Sequence, residues 1–409
     1  MPSFPRKQLM LGLALAGFAD LGQAAGFALV EQNASGLGNA YAGQAASAQD
    51  ASTIFFNPAG MTLLPDAQLV VAGHLIQPSA KFSGTFSAPV GGGQGGDAGG
   101  LAFVPNLYFA LPLTSSVSLG VGINAPFGLK TDYDAGWVGR FQALKSDLKT
   151  INVNPSIAWK LNDRLSLGLG LDVQRVEATL SNNISPLAPG SLMTVKGDDY
   201  GWGYNLGALW QATQDTRVGL AYRSEVDYKL KGTLSSNVTL PLPPSGDVTA
   251  DVTMPASASL SVFHKLSPKV DLLADVTWTG WSAFDRLAVV YTSIAYPLPA
   301  TQENWHDSWR YSIGATWHRD AAWSWRAGVA YDETPVPDAY RTPRIPDESR
   351  TWLALGGQYR LDKKNMVDFG FAHLFVKQAS IHSTTATGTL NGKYDNYVNI
   401  LSAQFTHNF

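Results

Sequence analysis

Leu165-Ser166-Leu167-Gly168-Leu169-Gly170-Leu171-Asp172-Val173 is the stretch that decides the fold class. Every odd position is apolar, and the even ones are Ser, Gly, Gly and Asp. A period of two belongs to a β-strand, where successive side chains point to opposite faces. One face suits lipid and the other a polar interior, as in a strand of a membrane barrel. Val367-Asp368-Phe369-Gly370-Phe371-Ala372 repeats the rule; Asn106-Leu107-Tyr108-Phe109-Ala110-Leu111 and Leu353-Ala354-Leu355-Gly356 follow it more weakly.

The connections carry the pattern outward. Short turns fall at 113–116, 162–163, 214–215, 267–268, 320–322 and 362–364. Long links rich in Gly, Pro, Asn and Asp fall at 82–100, 129–149, 182–199, 236–248, 282–306, 333–349 and 378–393. Short and long alternate, and together they separate about fourteen strands, the arrangement of an outer-membrane barrel with short periplasmic turns and long outer loops. A soluble sandwich has no reason for that asymmetry. The expected fold is all-β: a fourteen-stranded antiparallel transmembrane β-barrel over residues 67–409, with an N-terminal hatch, or plug, in its lumen.

Composition agrees. Charged residues are 15% of the 409, low against the roughly one quarter of soluble proteins. Mean hydropathy is −0.04. Beyond the first residues no run approaches the ~20 apolar residues of a spanning helix. A closed barrel reconciles these facts, because only alternate residues meet lipid. The net charge of −3 leaves no basic footprint for nucleic acid. Cysteine is absent, which excludes disulfides and thiolate chemistry.

Residues 1–24 resemble a secretory signal peptide: Arg6-Lys7, an apolar core over 9–16, then Gly22 and Ala24 before the expected cleavage. An N-terminal anchor is the alternative, but the run is short and broken by Asp20. Residues 25–66 lack a sustained strand pattern and are rich in Gly and Ala, with a short helix expected within 44–52. Some ~40 residues without staples do not fold alone, so this hatch is expected to borrow its core from the lumen. At the other end Tyr397, Leu401, Phe405 and Phe409 share one face, an address for the outer-membrane assembly machinery. Trp202, Tyr204, Trp278, Trp281, Trp309, Trp323 and Trp325 are candidates for interfacial girdles, although some must line the lumen.

At this point specific motifs accumulate. Ala25-Gly26-Phe27, Gly36-Leu37-Gly38-Asn39-Ala40 and Phe56-Asn57-Pro58-Ala59-Gly60-Met61 resemble the long-chain fatty acid transporter (FadL-type) family of Gram-negative outer membranes, which includes transporters of aromatic hydrocarbons. Ala125-Pro126-Phe127-Gly128-Leu129, Trp137-Val138-Gly139-Arg140, Gly201-Trp202-Gly203-Tyr204-Asn205, Tyr222-Arg223-Ser224, Tyr331-Asp332-Glu333-Thr334-Pro335-Val336-Pro337 and Arg344-Ile345-Pro346-Asp347 extend the likeness through the chain. The resemblance implies a fourteen-stranded barrel closed by a hatch, an outer capture site, a lumen pocket and a sideways exit into the membrane.

On that reading Asn57, Pro58 and Ala59 anchor the hatch against the wall; the alternative is a tight turn into the first strand. Ala25, Gly26, Phe27 and Leu29 form an N-terminal gate. Gly122, Asn124, Ala125 and Pro126 make a kink in the third strand, because Pro126 cannot donate to a ladder; a plain strand end at Asn124 is the alternative. Phe127, Leu129 and Trp137 are the capture candidates, with ordinary loop packing as the alternative. Glu177, His306 and Arg310 are possible lumen ligand contacts. Glu177 has the wrong sign for a carboxylate, which tilts the reading toward neutral hydrocarbons. Arg140, Arg223 and Arg326 are further candidates, more simply explained as partners of lumen Asp or Glu.

Expected partners are a hydrophobic small molecule, outer-membrane lipid and lipopolysaccharide; the chain is expected to be monomeric, with no cofactor. No Gly-x-Ser-x-Gly or His-x-x-x-His motif supports a hydrolase or a zinc site. A porin for small polar solutes is the nearer rival.

Overall fold

In space, the alternation at 165–173 separates outside from inside. Leu167, Leu169 and Leu171 are 40, 47 and 46% exposed. Ser166, Gly168, Gly170 and Asp172 between them are buried. A soluble sheet would bury the leucines, so the outer face here is one for lipid. The computed structural model describes residues 26–409 apart from 89–90, 189 and 239–242. The leader and Ala25 lie outside the described residues.

Fourteen antiparallel strands run in chain order. They are β1 (Gln68–Phe86), β2 (Ala102–Pro112), β3 in two halves (Val117–Asn124 and Gly128–Asp132), β4 (Lys145–Lys160) and β5 (Leu165–Asn183). There follow β6 (Leu192–Gln211), β7 in two halves (Thr216–Arg223 and Val226–Ser236), β8 in two halves (Gly246–Met254 and Ser257–Ser267) and β9 (Val270–Thr279). The last are β10 (Ser308–His318), β11 (Trp323–Asp332), β12 (Arg350–Arg360), β13 (Asn365–Val376) and β14 (Gly388–Asn408). Each pairs with the next, and β14 returns to β1 from Gln68↔Asn408 to Phe86↔Leu390, which closes the barrel. Closure leaves no sheet edge in lipid.

One rim is tied by side chains that mimic a backbone turn. Asn162 Oδ1 accepts from the N–H groups of Arg164 and Leu165. Asp320 does the same for Ala322 and Trp323, and Asp362 for Lys364 and Asn365. These are the short turns expected from the sequence. Tyr397, Leu401 and Phe405 face outward along β14.

Residues 26–63 fill the lumen. They form three single-turn helices, α1 (Ala34–Leu37), α2 (Gln44–Ser47) and α3 (Thr53–Phe56), then a 3-10 turn at Pro58–Leu63. The helix expected within 44–52 stops at Ser47, because Ala48 adopts a left-handed conformation with φ 46°. Small residues on both sides let backbone meet backbone. A Cβ at Gly219 of β7 would lie 1.9 Å from the Ala45 carbonyl oxygen, and one at Gly207 of β6 would lie 1.9 Å from Asn57 Oδ1. The wall glycines therefore belong to the packing of the hatch as much as to the strands.

Candidate solute pathway

The anchor is built from one side chain. Asn57 Nδ2 donates to the carbonyl of Ala45 at 2.7 Å, within the hatch, and to that of Ala208 in the wall at 3.0 Å. Its Oδ1 accepts from Ala59 N–H at 3.1 Å. Pro58 opens the 3-10 turn, where a missing N–H costs nothing. A buried amide with all these partners is hard to move.

The β3 interruption is a bulge. Asn124 pairs with Asn152 and Gly128 with Lys149, so residues 125–127 face only 150–151. Thr150 stitches the bulge: Phe127 N–H donates to its Oγ1 at 2.9 Å, and the hydroxyl donates back to the Phe127 carbonyl at 2.8 Å. On the other side, β2 pairs with β3 only from Leu107↔Ile123 to Pro112↔Ser118. Beyond the bulge that edge of β3 no longer pairs with β2, and Asp132 N–H donates to the Ala98 carbonyl at 2.9 Å.

The N-terminal segment occupies the vacated edge. Leu29 N–H donates to the Pro126 carbonyl at 2.8 Å, and Gly128 N–H donates to the Phe27 carbonyl at 2.9 Å. Ala28 and Phe127 form an antiparallel bridge. Gln32 Nε2 donates to the Ala125 carbonyl at 3.0 Å. The Phe27 ring then meets Trp281, Phe284, Trp305 and Phe127 at centroid distances of 4.6, 5.6, 5.7 and 6.1 Å. Gly26 N–H donates to Asp347 Oδ2 at 3.1 Å. That carboxylate also accepts from Thr334 Oγ1 at 2.6 Å, and burial raises it above the usual carboxylate range.

This aromatic group separates two cavities. The inner one, about 160 Å³, lies between hatch and wall and is lined by Leu29, Tyr41, Phe55, Arg223, Asp275 and Arg310 among others. The outer one, about 80 Å³, is lined by Phe27, Leu129, Leu148, Val176, Met254 and Ile345, and is almost wholly apolar. Its ionisable lining residues are Lys196, Glu303 and Arg344. Burial pushes the Glu303 carboxyl up to about 8, against the pull of Trp305 N–H and of Arg344. Burial likewise lowers Arg344 to about 10. Arg344 Nη2 donates to Asn182 Oδ1 at 3.0 Å, and Nη1 to the Ser146 hydroxyl at 3.3 Å.

The sequence candidates divide between these places. Gly26, Phe27, Leu29, Ala125, Pro126, Phe127 and Leu129 converge around the bulge; Gly122 and Asn124 lie on β3 just before it. Trp137 lies elsewhere, stacked on Tyr133 at 4.0 Å inside an outer loop, with its indole N–H on the Ala143 carbonyl. Glu177 is exposed on the outer face and paired with Arg175 at 2.9 Å, so its charge says nothing about the lumen. His306 is exposed and touches neither cavity lining. Arg310 lines the inner cavity and donates to the Ala40 carbonyl at 2.6 Å. Arg223 pairs with Asp172 and Arg326 with Asp368, as lumen partners. Arg140 donates to the Gly91 and Trp137 carbonyls. Sequence reasoning gave no role to Glu303, Trp305, Arg344 or Asp347. They sit in loops whose local pattern carries no period, although Arg344 and Asp347 fall within a quoted motif.

Residues 15–409 match the model of the outer membrane protein transport family OMPP1/FadL/TodX. The long-chain fatty acid transport protein of Escherichia coli O6:H1 is 30% identical, with 89% of this chain and 90% of that one covered. The crystal structure of a Pseudomonas aeruginosa FadL homologue superposes with a TM-score of 0.88 at 27% identity, covering 94% of this chain and all of that one. The Pseudomonas putida toluene transporter TodX shares the fold, with a TM-score of 0.70 at 17% identity over 94% of this chain and 100% of that one.

Proposed function

This chain belongs to the OMPP1/FadL/TodX family of outer-membrane transport proteins, a non-enzymatic family that carries hydrophobic compounds across the Gram-negative outer membrane, and we propose that it does so by passive diffusion through a gated lumen and out through the side of the barrel. The observation that carries this reading is the pairing of residues 27–29 with the bulged edge of β3. A solute entering the outer cavity meets Phe27 first. Displacing it breaks the Leu29–Pro126 and Gly128–Phe27 hydrogen bonds, each worth about 0.5–1.5 kcal/mol net. Burial of a few methylenes, at about 0.8 kcal/mol each, offsets that cost. The edge of β3 then opens toward the membrane.

Among solutes, Arg344 at the outer cavity favours an anionic head on an apolar tail, as in long-chain fatty acids. Protonated Glu303 below about pH 8 leaves that charge uncompensated. A second reading, neutral aromatic hydrocarbons, draws on the ring cluster around Phe27. The proposal includes cleavage after Ala24, leaving Ala25 and Gly26 as the first residues of the gate. Binding of labelled oleate and of labelled toluene to purified protein, with uptake in a strain lacking the gene, tests it. Saturable uptake of neither, with open conductance to small ions, would establish the porin instead.

A further inference from the structure

The wall lapses a second time. Asn205 of β6 pairs with Arg223 of β7, and Asp198 pairs with Lys231. Residues 199–204 therefore face residues 224–230 with one residue in excess and no registered pair. What joins them is sparse: Ser224 N–H donates to the Tyr204 carbonyl at 2.9 Å, Tyr204 N–H to Ser224 Oγ at 2.9 Å, and Lys229 N–H to Asp199 Oδ2 at 2.7 Å. The neighbouring ladder breaks at the same level, where β7 is split at 224–225 and β8 at Pro255 and Ala256.

Unpaired backbone in a membrane wall is tolerated only where protein covers it or a cavity reaches it. Both conditions meet here. The inner cavity reaches Asn205, Leu206, Tyr222, Arg223 and Pro255, the residues bounding the lapse. Leu206, one of these, carries its side chain on the outer face and pairs with Tyr222 at the edge of the lapse. The lapse itself is filled by Val226, flanked by the Tyr228 ring over Gly201 and the Ser224 hydroxyl over Gly203. Val226 Cγ1 lies 2.4 Å from where a Cβ on Gly201 would sit, and Cγ2 lies 2.9 Å from one on Gly203. Beside it the Tyr228 hydroxyl is buried without a hydrogen-bond partner. Following the register from the β3 bulge, Thr150 pairs with Val176 and Val176 with Asp199. The two lapses thus lie on one hydrogen-bonded row, three strands apart.

We propose that the seam between residues 201–204 and 224–228 is a second side passage, through which apolar solutes leave the inner cavity for the membrane when Val226 moves. The passage rests on the transport reading above for its cargo, but its opening is measurable without transport. The chain has no cysteine, so single cysteines report unambiguously. Val226→Cys is compared with Val398→Cys; both positions are 3% exposed, and Val398 lies between fully paired strands. In lipid bilayers containing toluene, a maleimide on a long alkyl chain is expected to label the seam cysteine roughly tenfold faster than the control. Equal rates overturn the passage.

A staple supplies the second measurement. Ser224 Oγ lies 2.9 Å from where a Cβ on Gly203 would sit, within the geometry of a disulfide for the pair Gly203→Cys and Ser224→Cys. In a background whose β3 bulge is removed, oxidising this pair is expected to lower residual toluene uptake about threefold, with full recovery on reduction. Uptake indifferent to oxidation overturns the passage. Absence of uptake in the unmodified protein overturns the transport reading, and the labelling comparison then decides the seam by itself.

Discussion

The two lapses in the barrel wall are closed by different means. At β3 a separate piece of backbone takes the place of the missing strand, with two main-chain hydrogen bonds and a ring of aromatics behind it. At β6 and β7 side chains of the wall itself, Val226 with Tyr228 and Ser224 beside it, lean on two glycines. The first closure can be undone by whatever competes for the Phe27 site, because its parts are not covalently part of the wall. The second can move only as far as a rotamer and a local loosening allow. Discontinuity alone does not make a gate; what covers the discontinuity sets its sensitivity to ligand.

The strongest way to break this comparison is to remove the bulge. Deleting Ala125 restores equal spacing opposite 150–151, and uptake of labelled oleate is expected to fall at least about thirtyfold while the heat-modified mobility of the folded barrel stays unchanged. Normal uptake would mean that the β3 edge is not the main exit. Next comes Arg344→Ala. Losing a charged hydrogen-bonding group costs about 1.5–3 kcal/mol, so oleate is expected to bind roughly tenfold or more weakly by calorimetry, with toluene binding unchanged. Equal losses for both ligands would reduce Arg344 to a structural support.

Asn57→Ala sharpens the same contrast from the hatch side. It removes the amide's hydrogen bonds to the Ala45 and Ala208 carbonyls, and about 1–3 kcal/mol of local stability should go. Hydrogen exchange is expected to rise across 44–63 and not across 199–204; exchange confined to residue 57 would make the motif only a turn. The smallest effect is that of pH. Glu303 has its pKa raised by burial from 4.5 to about 8, so it is protonated at neutral pH and becomes charged as pH rises through about 8. Stabilisation from the protonated form is complete below about 4.5 and lost above about 8. Oleate affinity should therefore drop a few-fold between pH 7 and about 9, and Glu303→Gln should abolish the drop.

How much of this could be read from the chain depends on period. Strands such as β5 and β13 declare themselves, because lipid on one side and a small-residue interior on the other leave a two-residue rhythm. The short turns were legible through Asn162, Asp320 and Asp362. The bulge was legible through Pro126, whose backbone chemistry is local. The partners across the lumen were not. Phe27 meets Trp281 and Trp305 through two hundred and more intervening residues, and nothing near any of them encodes the meeting. Glu177 shows the limit in the other direction: one register step decides whether a charge faces solute or the surroundings, and its strand face places it outside. The β6–β7 lapse sits inside Gly201-Trp202-Gly203-Tyr204, which reads as an ordinary alternating strand.

The small-on-small contact between hatch and wall has a consequence for assembly. The polypeptide emerges with residues 26–63 first, yet their resting places are carbonyls and glycines of β6, β7, β11 and β13, made long afterwards. Until β14 reaches β1 that seat is incomplete: Asn57 can reach Ala208 of β6, while Gly38 and Asn39 still wait for glycines of β10, β11 and β12. The final stitch of the cylinder is thus also the moment the stopper's seat is complete.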